Sequence, residues 1–436
     1  MTDAAPSTGK AFVLHPLLPG KADKATRDIA DILEEAGGLA RAIHLEVVYL
    51  DTVRVSKISP ATLIGSGAVE MIGQRVSEQK PELVVINAIL SPIQQRNLER
   101  AWKVKVIDRT GLILAIFGER AQTKEGKIQV DLAALEYQKS RLVRAWTHLE
   151  RQRGGLGKTG GPGEKQMELD RRRIDGFIIN LKKQLEEVRK TRELGRKSRE
   201  RVPFPVVALV GYTNAGKSTL FNRLTGAGVF AEDMPFATLD PTLRALKLPS
   251  GNKIILSDTV GFIADLPTHL IAAFRATLEQ VQYADVILHV RDVSRPDHMA
   301  QRQDVIDVMK DLGIDYDGDE RIFEILNKMD LCSEDAQGDF TRQSKVNLKH
   351  IAVSALTGQG MEALLSAVDT FLLRHHRALR YRLPIEDGQA LAWLYRHGEV
   401  VARKDNKKTI DVDMLMDDKN KGQFESRFGY KGKHAD

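Results

Sequence analysis

The run Gly211-Tyr212-Thr213-Asn214-Ala215-Gly216-Lys217-Ser218, followed by Thr219, has the spacing G-x-x-x-x-G-K-[ST]. It lies between an apolar β-rich run, Val206–Val210, and a helical pattern, the context in which such a loop wraps a phosphate chain. Glycines let backbone N–H groups converge on phosphate oxygens, and the following helix N-terminus adds positive potential. Lys217 would reach the β- and γ-phosphates, and Ser218 would ligate Mg²⁺. A glycine turn with a chance lysine is the alternative, and the strand–loop–helix context disfavours it.

Such a loop does not choose a base. Asn327-Lys328-Met329-Asp330 does, because it ends the apolar strand Ile322–Leu326. Guanine presents N1–H and an exocyclic amine, and the Asp330 carboxylate can accept from both; adenine offers no such pair. A site built on that pairing rejects the wrong base by a factor on the order of 10⁴. Asn327 would brace the loop and Lys328 would lie over the ring. Ser354-Ala355-Leu356 ends the strand Ile351–Val353, where backbone N–H groups would read guanine O6. Asp258-Thr259-Val260-Gly261 follows the strand Ile254–Leu256; Asp258 would hold a Mg²⁺-bound water and Gly261 N–H would bind the γ-phosphate. Between them lies Phe236-Ala237-Thr238-Leu239-Asp240. Thr238 is the candidate switch threonine for Mg²⁺, with Thr242 and Thr225 as competitors. These loops, in this order, form one GTP site with Mg²⁺ as cofactor; Lys217, Thr238 and Gly261 are its candidate catalytic residues.

Phe262 follows Gly261, where many Ras-like GTPases carry a water-orienting glutamine. A phenyl ring cannot orient water by hydrogen bonding, so intrinsic hydrolysis is expected to be slow unless a partner completes the site. The alternative is that Phe262 only packs its loop, while backbone or a K⁺ ion holds the water.

The elements that must position these loops follow from length and patterning. At 436 residues the chain has room for about three domains. Composition is that of a globular protein, with 42% hydrophobic and 28% charged residues. The start shows no secretory pattern, and no run reaches the ~18 apolar residues of a membrane span. Cys332 is the single cysteine, so no intrachain disulfide or Cys-based zinc site is expected and a reduced, cytoplasmic setting fits. Residues 10–123 alternate β-rich runs (Phe12–Leu18, Leu45–Val55, Leu83–Ile89, Val104–Ile107) with helical patterns near Thr26–Glu35, Val69–Val76 and Ile93–Trp102, which implies a small parallel α/β subdomain. From 127 to 200 two long 3–4-spaced apolar patterns flank Gly154–Gly163, six of whose ten residues are glycine; this is an antiparallel helical hairpin with a glycine-rich tip. The expected fold is α/β and multidomain: residues 1–123 the N-terminal subdomain, 124–201 the hairpin, 202–374 the P-loop GTPase domain and 375–436 a small C-terminal α/β module.

Net charge is +6, from 65 basic and 59 acidic residues. Residues 139–201 hold 19 basic and 9 acidic side chains, net +10, which leaves 46 and 50, net −4, elsewhere. All the excess positive charge sits on the hairpin, so its expected partner is a polyanion.

With these motifs in place, the chain resembles the HflX family of translation-factor-related GTPases over about residues 10–375. The resemblance rests on GYTNAGKS, FATLD, DTVGF, NKMD and SAL, and more specifically on DRTGLILAIFGERAQTKEGKIQVDLAALEYQKSRL and RQRGGLGKTGGPGEKQMELDRRRI. It implies GTP hydrolysis linked to the large ribosomal subunit, and separation of the subunits of stalled or idle ribosomes, notably in stress. It also implies that the tip reaches toward the peptidyl-transferase centre, so Arg151, Arg153, Gly154, Gly155, Lys158, Gly161, Gly163, Arg171, Arg172 and Arg173 are candidate rRNA contacts. The tip is one residue longer than the commoner form, and Lys165 replaces the usual small polar residue. The last ~60 residues carry no motif of the family. A monomer is expected, with no DNA or membrane partner.

Two other readings compete. One is an RNA-remodelling ATPase regulated by its G domain; Gly65-Ser66-Gly67 before a helix is its only sign, and a plain helix-entry turn explains it as well. The other is a peripheral membrane GTPase, which no lipidation motif supports. Trp102, Trp146 and Trp393 read as core or helix-interface residues, and the histidines show no metal-ligand spacing.

Overall fold

The computed structural model describes residues 9–19, 27–150, 162–199, 204–226, 235–236, 242–264, 280–374 and 376–434. Four strands, β1 (Lys10–Leu17), β2 (Glu46–Arg54), β3 (Leu83–Ile86) and β4 (Lys105–Asp108), pair in parallel in the order β2-β1-β3-β4. Helices α1 (Ile29–Arg41), α2 (Ser66–Gln79) and α3 (Pro92–Trp102) connect them, and α4 (Arg109–Arg120) follows β4. Alternate residues of β1 enter different cores: Phe12 and Leu14 pack with Ile72, Leu98 and Trp102, and Val13 with Leu39 and Ile113. Both faces are covered, which is why these strands read as continuous apolar runs.

Two boundaries differ from the sequence reading. The first helix starts later, at the Asp28 cap, and continues past Glu35 to Arg41 through Gly37 and Gly38. Glycine disfavours a helix interior, but here a Cβ on Gly37 would lie 3.3 Å from the Leu50 side chain, so Gly37 lets α1 close onto β2, while Gly38 faces Pro235. The third strand stops at Ile86, and Ile89 is 63% exposed.

Helices α5 (Lys124–Glu150) and α6 (Pro162–Arg199) form the hairpin. Ile174, Leu181 and Val188 are half-buried and Ile178 and Leu185 buried along one stripe of α6. Lys182 pairs with Glu136 across the helices at 3.0 Å, and Lys139 pairs with Asp175. Residues 151–161 lie outside the described residues, as do the side chains of Trp146 and His148.

The third unit holds a six-stranded sheet of order β10-β9-β8-β5-β7-β6. Its strands are β5 (Val206–Gly211), β6 (Thr242–Lys247), β7 (Lys253–Asp258), β8 (Val286–Asp292), β9 (Ile322–Asn327) and β10 (His350–Ala352). All pairs are parallel except β6 with β7. Helices α7 (Lys217–Thr225), α8 (His298–Asp311), α9 (Glu334–Val346) and α10 (Met361–Leu373) accompany them. One hydrophobic core runs from the first unit into this one, joining Leu112, Ile113 and Phe117 to Tyr212, Phe236, Val260 and Phe262.

The C-terminal unit has β11 (His376–Pro384), α11 (Gly388–His397), β12 (Glu399–Asp405), β13 (Thr409–Asp417), α12 (Asp418–Phe428) and β14 (Lys433–His434). The antiparallel order β12-β13-β11-β14 is a split β-α-β arrangement. Tyr381, Met414, Leu394 and Phe424 fill its core, and half-buried Trp393 packs there against Phe424. Arg380 and Arg382 on the other face pair with Asp413 and Asp411. Among the described residues no helix is long and apolar enough to cross a membrane.

A buried polar cluster inside the third unit makes its stability depend on pH. Burial pushes His289 down to about 3, against the pull of Glu324. Burial opposes the Glu324 charge, yet hydrogen bonding by Arg302 and the nearby Arg291 carry it down to about 2. The unfolded chain therefore binds a proton at each site before the folded one does. Stability is lost as pH falls from the ordinary histidine range toward 3 at His289, and from the ordinary carboxylate range toward 2 at Glu324. One such proton contributes at most about 1.4 kcal/mol per pH unit. The thermal midpoint of the wild type should fall more steeply between pH 6.5 and 4.5 than that of His289→Gln; parallel midpoint-against-pH curves would refute this.

Candidate functional site

The site is built at the carboxyl ends of β5, β7 and β9, with β10 supplying the loop beside them, as open parallel sheets require. β5 ends in Gly211, and α7 begins at Lys217. Gly216 has φ +89°, and a Cβ there would lie 2.3 Å from the Asn327 amide nitrogen, so only glycine fits. Asn214 also takes a left-handed backbone, at φ 61°. Lys217 is buried, and its Nζ donates to the carbonyls of Tyr212 at 2.8 Å and Gly211 at 3.2 Å. Burial lowers its pKa to about 8, with Asp258 opposing. That is a cation stripped of water and in need of anionic partners.

Ser218 Oγ donates to Asp258 Oδ2 at 2.7 Å. The two side chains expected around Mg²⁺ thus meet as a pair of hard oxygen donors, a set that suits the ion. Thr259 hangs its hydroxyl on Leu209 O, bracing β7 against β5. Gly261 lies against Lys217: a Cβ there would come within 2.9 Å of Nζ. Val260 and Phe262 are buried, and Phe262 bridges to Tyr212, with Thr213 N donating to Phe262 O at 2.7 Å and Phe262 N to Gly211 O at 3.0 Å.

The base-reading loops are tied to the phosphate loop through Asn327. Its Nδ2 donates to Ala215 O at 2.8 Å and its Oδ1 accepts from Ala355 N at 3.0 Å. Ser354 Oγ donates to Asp330 Oδ1 at 2.5 Å, which fixes the carboxylate's orientation. Lys328, at φ 65°, pairs with Asp292 at 2.9 Å. Met329 is fully buried under the loop. Of the backbone N–H groups in Ser354–Leu356 expected to read guanine O6, two are engaged within the protein. Ser354 N donates to Gln359 O and Ala355 N to Asn327, so Leu356 N–H is the candidate reader.

Thr225 is not placed for Mg²⁺, since its hydroxyl back-bonds to Phe221 O at 2.7 Å. Thr242 lies in β6 opposite Asp258. Ala237, Thr238, Leu239 and Asp240 lie outside the described residues, as do Arg151, Arg153, Gly154, Gly155, Lys158 and Gly161. Phe236 is buried edge-on against Phe117 of α4, with ring centroids 4.7 Å apart. Gly163 opens α6, and Arg171, Arg172 and Arg173 are exposed on it. Gly65 and Gly67 enter α2 with open space where a Cβ would stand, and Gly65 has an extended backbone.

Some contacts that shape the site were not read from the sequence. Arg223, at the end of α7, donates to the carbonyls of Ala355 and Leu356. The Tyr212 hydroxyl donates to Glu35 of α1 and accepts from Arg27 at 3.3 Å and Ala264 N at 2.9 Å. Arg109 donates to Glu35 at 2.6 Å and to Ala264 O at 3.0 Å. Arg295 reaches Asp31 and Glu34 on the same helix.

Asp330→Asn should move preference from guanine toward xanthine nucleotides, whose O2 acceptor suits an amide donor. Asn327→Ala should weaken every guanine nucleotide about tenfold or more without changing base preference, since it removes two buried hydrogen bonds. Competition titrations with GDP, XDP and ADP distinguish the two, and unchanged GDP selectivity in Asp330→Asn would show the base reader to be misassigned.

Four family models match the chain. Residues 30–118 match "GTP-binding GTPase N-terminal", 120–199 "GTP-binding GTPase Middle Region", 206–328 "50S ribosome-binding GTPase" and 339–436 "HflX C-terminal domain". The last covers the tail for which the motifs alone offered no assignment. GTPase HflX of Magnetococcus marinus is 49% identical over 92% of this chain and 91% of its own length. GTPase HflX of Lacrimispora saccharolytica is 43% identical over 88% and 89%. GTPase HflX of Escherichia coli is 41% identical over 85% of each chain.

Proposed function

Because the chain belongs to the HflX family of GTPases, we propose that it is a GTP-switched factor of the large ribosomal subunit, which engages rRNA through its basic hairpin and separates the subunits of stalled or idle ribosomes. The observation that carries this reading is Phe262. The guanine and phosphate loops are assembled, yet the side chain after Gly261 is 3% exposed and packed into the core. At the position where many Ras-like GTPases carry a water-orienting glutamine, this chain places a buried ring with no hydrogen-bonding group. A partner that supplies the missing group can contribute 10³–10⁵ in rate.

In this reading Asp330 and Leu356 N–H select guanine and Asn327 holds their loops to the phosphate loop. Lys217 and the amides of residues 214 and 216–219 neutralise the phosphates. Ser218 and Thr238 would ligate Mg²⁺, with Asp258 acting through a water; the ion would offset charge between the β- and γ-phosphates. Gly261 N–H and Thr238 report the γ-phosphate, and hydrolysis releases both loops. The arginines of α6 fit rRNA phosphates: Arg172 and Arg173 are 71% exposed and, among the described residues, pair with neighbours on their own helix. The cytoplasm is the compartment this work requires.

Purified large subunits should raise the GTPase rate at least a hundredfold, and protein loaded with a non-hydrolysable GTP analogue should sediment with them in a salt-dependent way. Absence of co-sedimentation at moderate salt would end the ribosomal reading. Stimulation by K⁺ over Na⁺ without ribosomes would assign the missing group to an ion instead.

A further inference from the structure

We propose that Arg109 is a positioning residue for GTP hydrolysis, holding switch II at Ala264 while its neighbour Asp108 grips the root of the hairpin. This rests on the GTPase reading of the site and extends it to how the site and the hairpin communicate.

Ala264 lies three residues beyond Gly261, and both of its backbone polar groups are held. Its N–H donates to the Tyr212 hydroxyl of the phosphate loop at 2.9 Å, and its carbonyl accepts from Arg109 Nη2 at 3.0 Å. Arg109 is itself fixed: Nη1 donates to Asn87 Oδ1 at 2.6 Å and Nη2 to Glu35 Oε1 at 2.6 Å. Only a planar fork reaches these acceptors together.

Asp108 is fully buried and serves the other direction. Its Oδ1 accepts from Tyr137 OH at 2.5 Å and from Gly111 N at 2.8 Å. Its Oδ2 accepts from Arg141 Nη2 at 2.6 Å and from Leu90 N at 3.2 Å. Tyr137 and Arg141 stand one turn apart on α5, with the guanidinium 4.1 Å from the ring centroid. Consecutive residues at the start of α4 therefore hold switch II and α5. A shift of Ala264 that pulls on Arg109 also moves the peptide carrying Asp108, and displacement of α5 acts back on Ala264, as coupling of two sites must.

The test uses full-length protein, Arg109→Lys and Tyr137→Phe. It combines steady-state hydrolysis with hydrogen–deuterium exchange of α5 peptides in GDP and in a non-hydrolysable GTP analogue, without ribosomes. Arg109→Lys should lower kcat about tenfold with KM within about twofold, because it keeps the charge and loses the fork. In the wild type, exchange over residues 130–142 should differ between the two nucleotides. That difference should vanish in both variants, while Tyr137→Phe keeps the basal rate and the fold. Equal α5 exchange in the two nucleotides for the wild type, or an Arg109→Lys protein with unchanged kcat, would overturn the proposal. Nucleotide-dependent α5 exchange in a protein that large subunits fail to stimulate would support it while removing the ribosomal reading.

Discussion

A carboxylate held between two domains organises this molecule. The Glu35 side chain is 18% exposed and faces the phosphate loop. Stranding such a charge would cost several kcal/mol, so it persists only where partners satisfy it. Here Tyr212 OH and Arg109 donate to it, and Arg27 lies 3.7 Å away. Each partner has a second duty: Tyr212 belongs to the phosphate loop, Arg109 holds switch II, and Arg27 pairs with Asp297 and Asp304 before and within α8. Around this polar seam a single apolar core crosses from Phe117 to Phe236 and Phe262. The N-terminal and nucleotide-binding units therefore pack against each other along this face, and Phe236 and Phe262 of the two switch segments lie inside the packing.

How much of this was legible follows from where the constraint sits in the chain. The nucleotide loops could be read because the chemistry demands particular residues at short spacing: Gly216 must be glycine under Asn327, and Asp330 must be a carboxylate. Glu35 and Arg109 could not be read that way. Glu35 is one acid on an amphipathic helix with Asp31 and Glu34 beside it, and nothing local separates a solvated carboxylate from one that meets a partner 177 residues away. The length of α1 was hidden for a related reason. Helix propensity counts Gly37 and Gly38 as stops, whereas contact with β2 makes the missing side chain of Gly37 an advantage. In the tail, only the tertiary fold shows that the arginines of β11 meet Asp411 and Asp413.

The distribution of charge separates the units by task. In the sheet that carries the site, cations are matched internally: Arg291 and Arg302 both bind Glu324, and Lys328 binds Asp292. The outward face of the C-terminal sheet is matched too, so its arginines hold aspartates rather than offering themselves to phosphate. On α6, among the described residues, Arg172 and Arg173 meet Glu168 and Asp170 on the same helix. Pairs of that kind contribute about 0.3–0.5 kcal/mol and are screened by salt. A phosphodiester backbone can displace them easily. Net positive charge and exposed arginines paired within one helix coincide on the hairpin.

Phe262 then shows how stability and catalysis divide between the protein and its surroundings. Withdrawing the ring from the core would forfeit about 1.5–3 kcal/mol of burial and would still leave no hydrogen-bonding group beside the γ-phosphate. The 10³–10⁵ that a completing group supplies corresponds to about 4–7 kcal/mol of barrier. Rearrangement of this side chain alone cannot provide it, so the ring is better placed as a fixed wedge that keeps Gly261 seated over Lys217. The ring therefore does not supply the group that orients water. Ala264, three residues past Gly261, is tied through Arg109 and its neighbour Asp108 to Tyr137 and Arg141 of α5, so switch II and the hairpin share one set of contacts on this face.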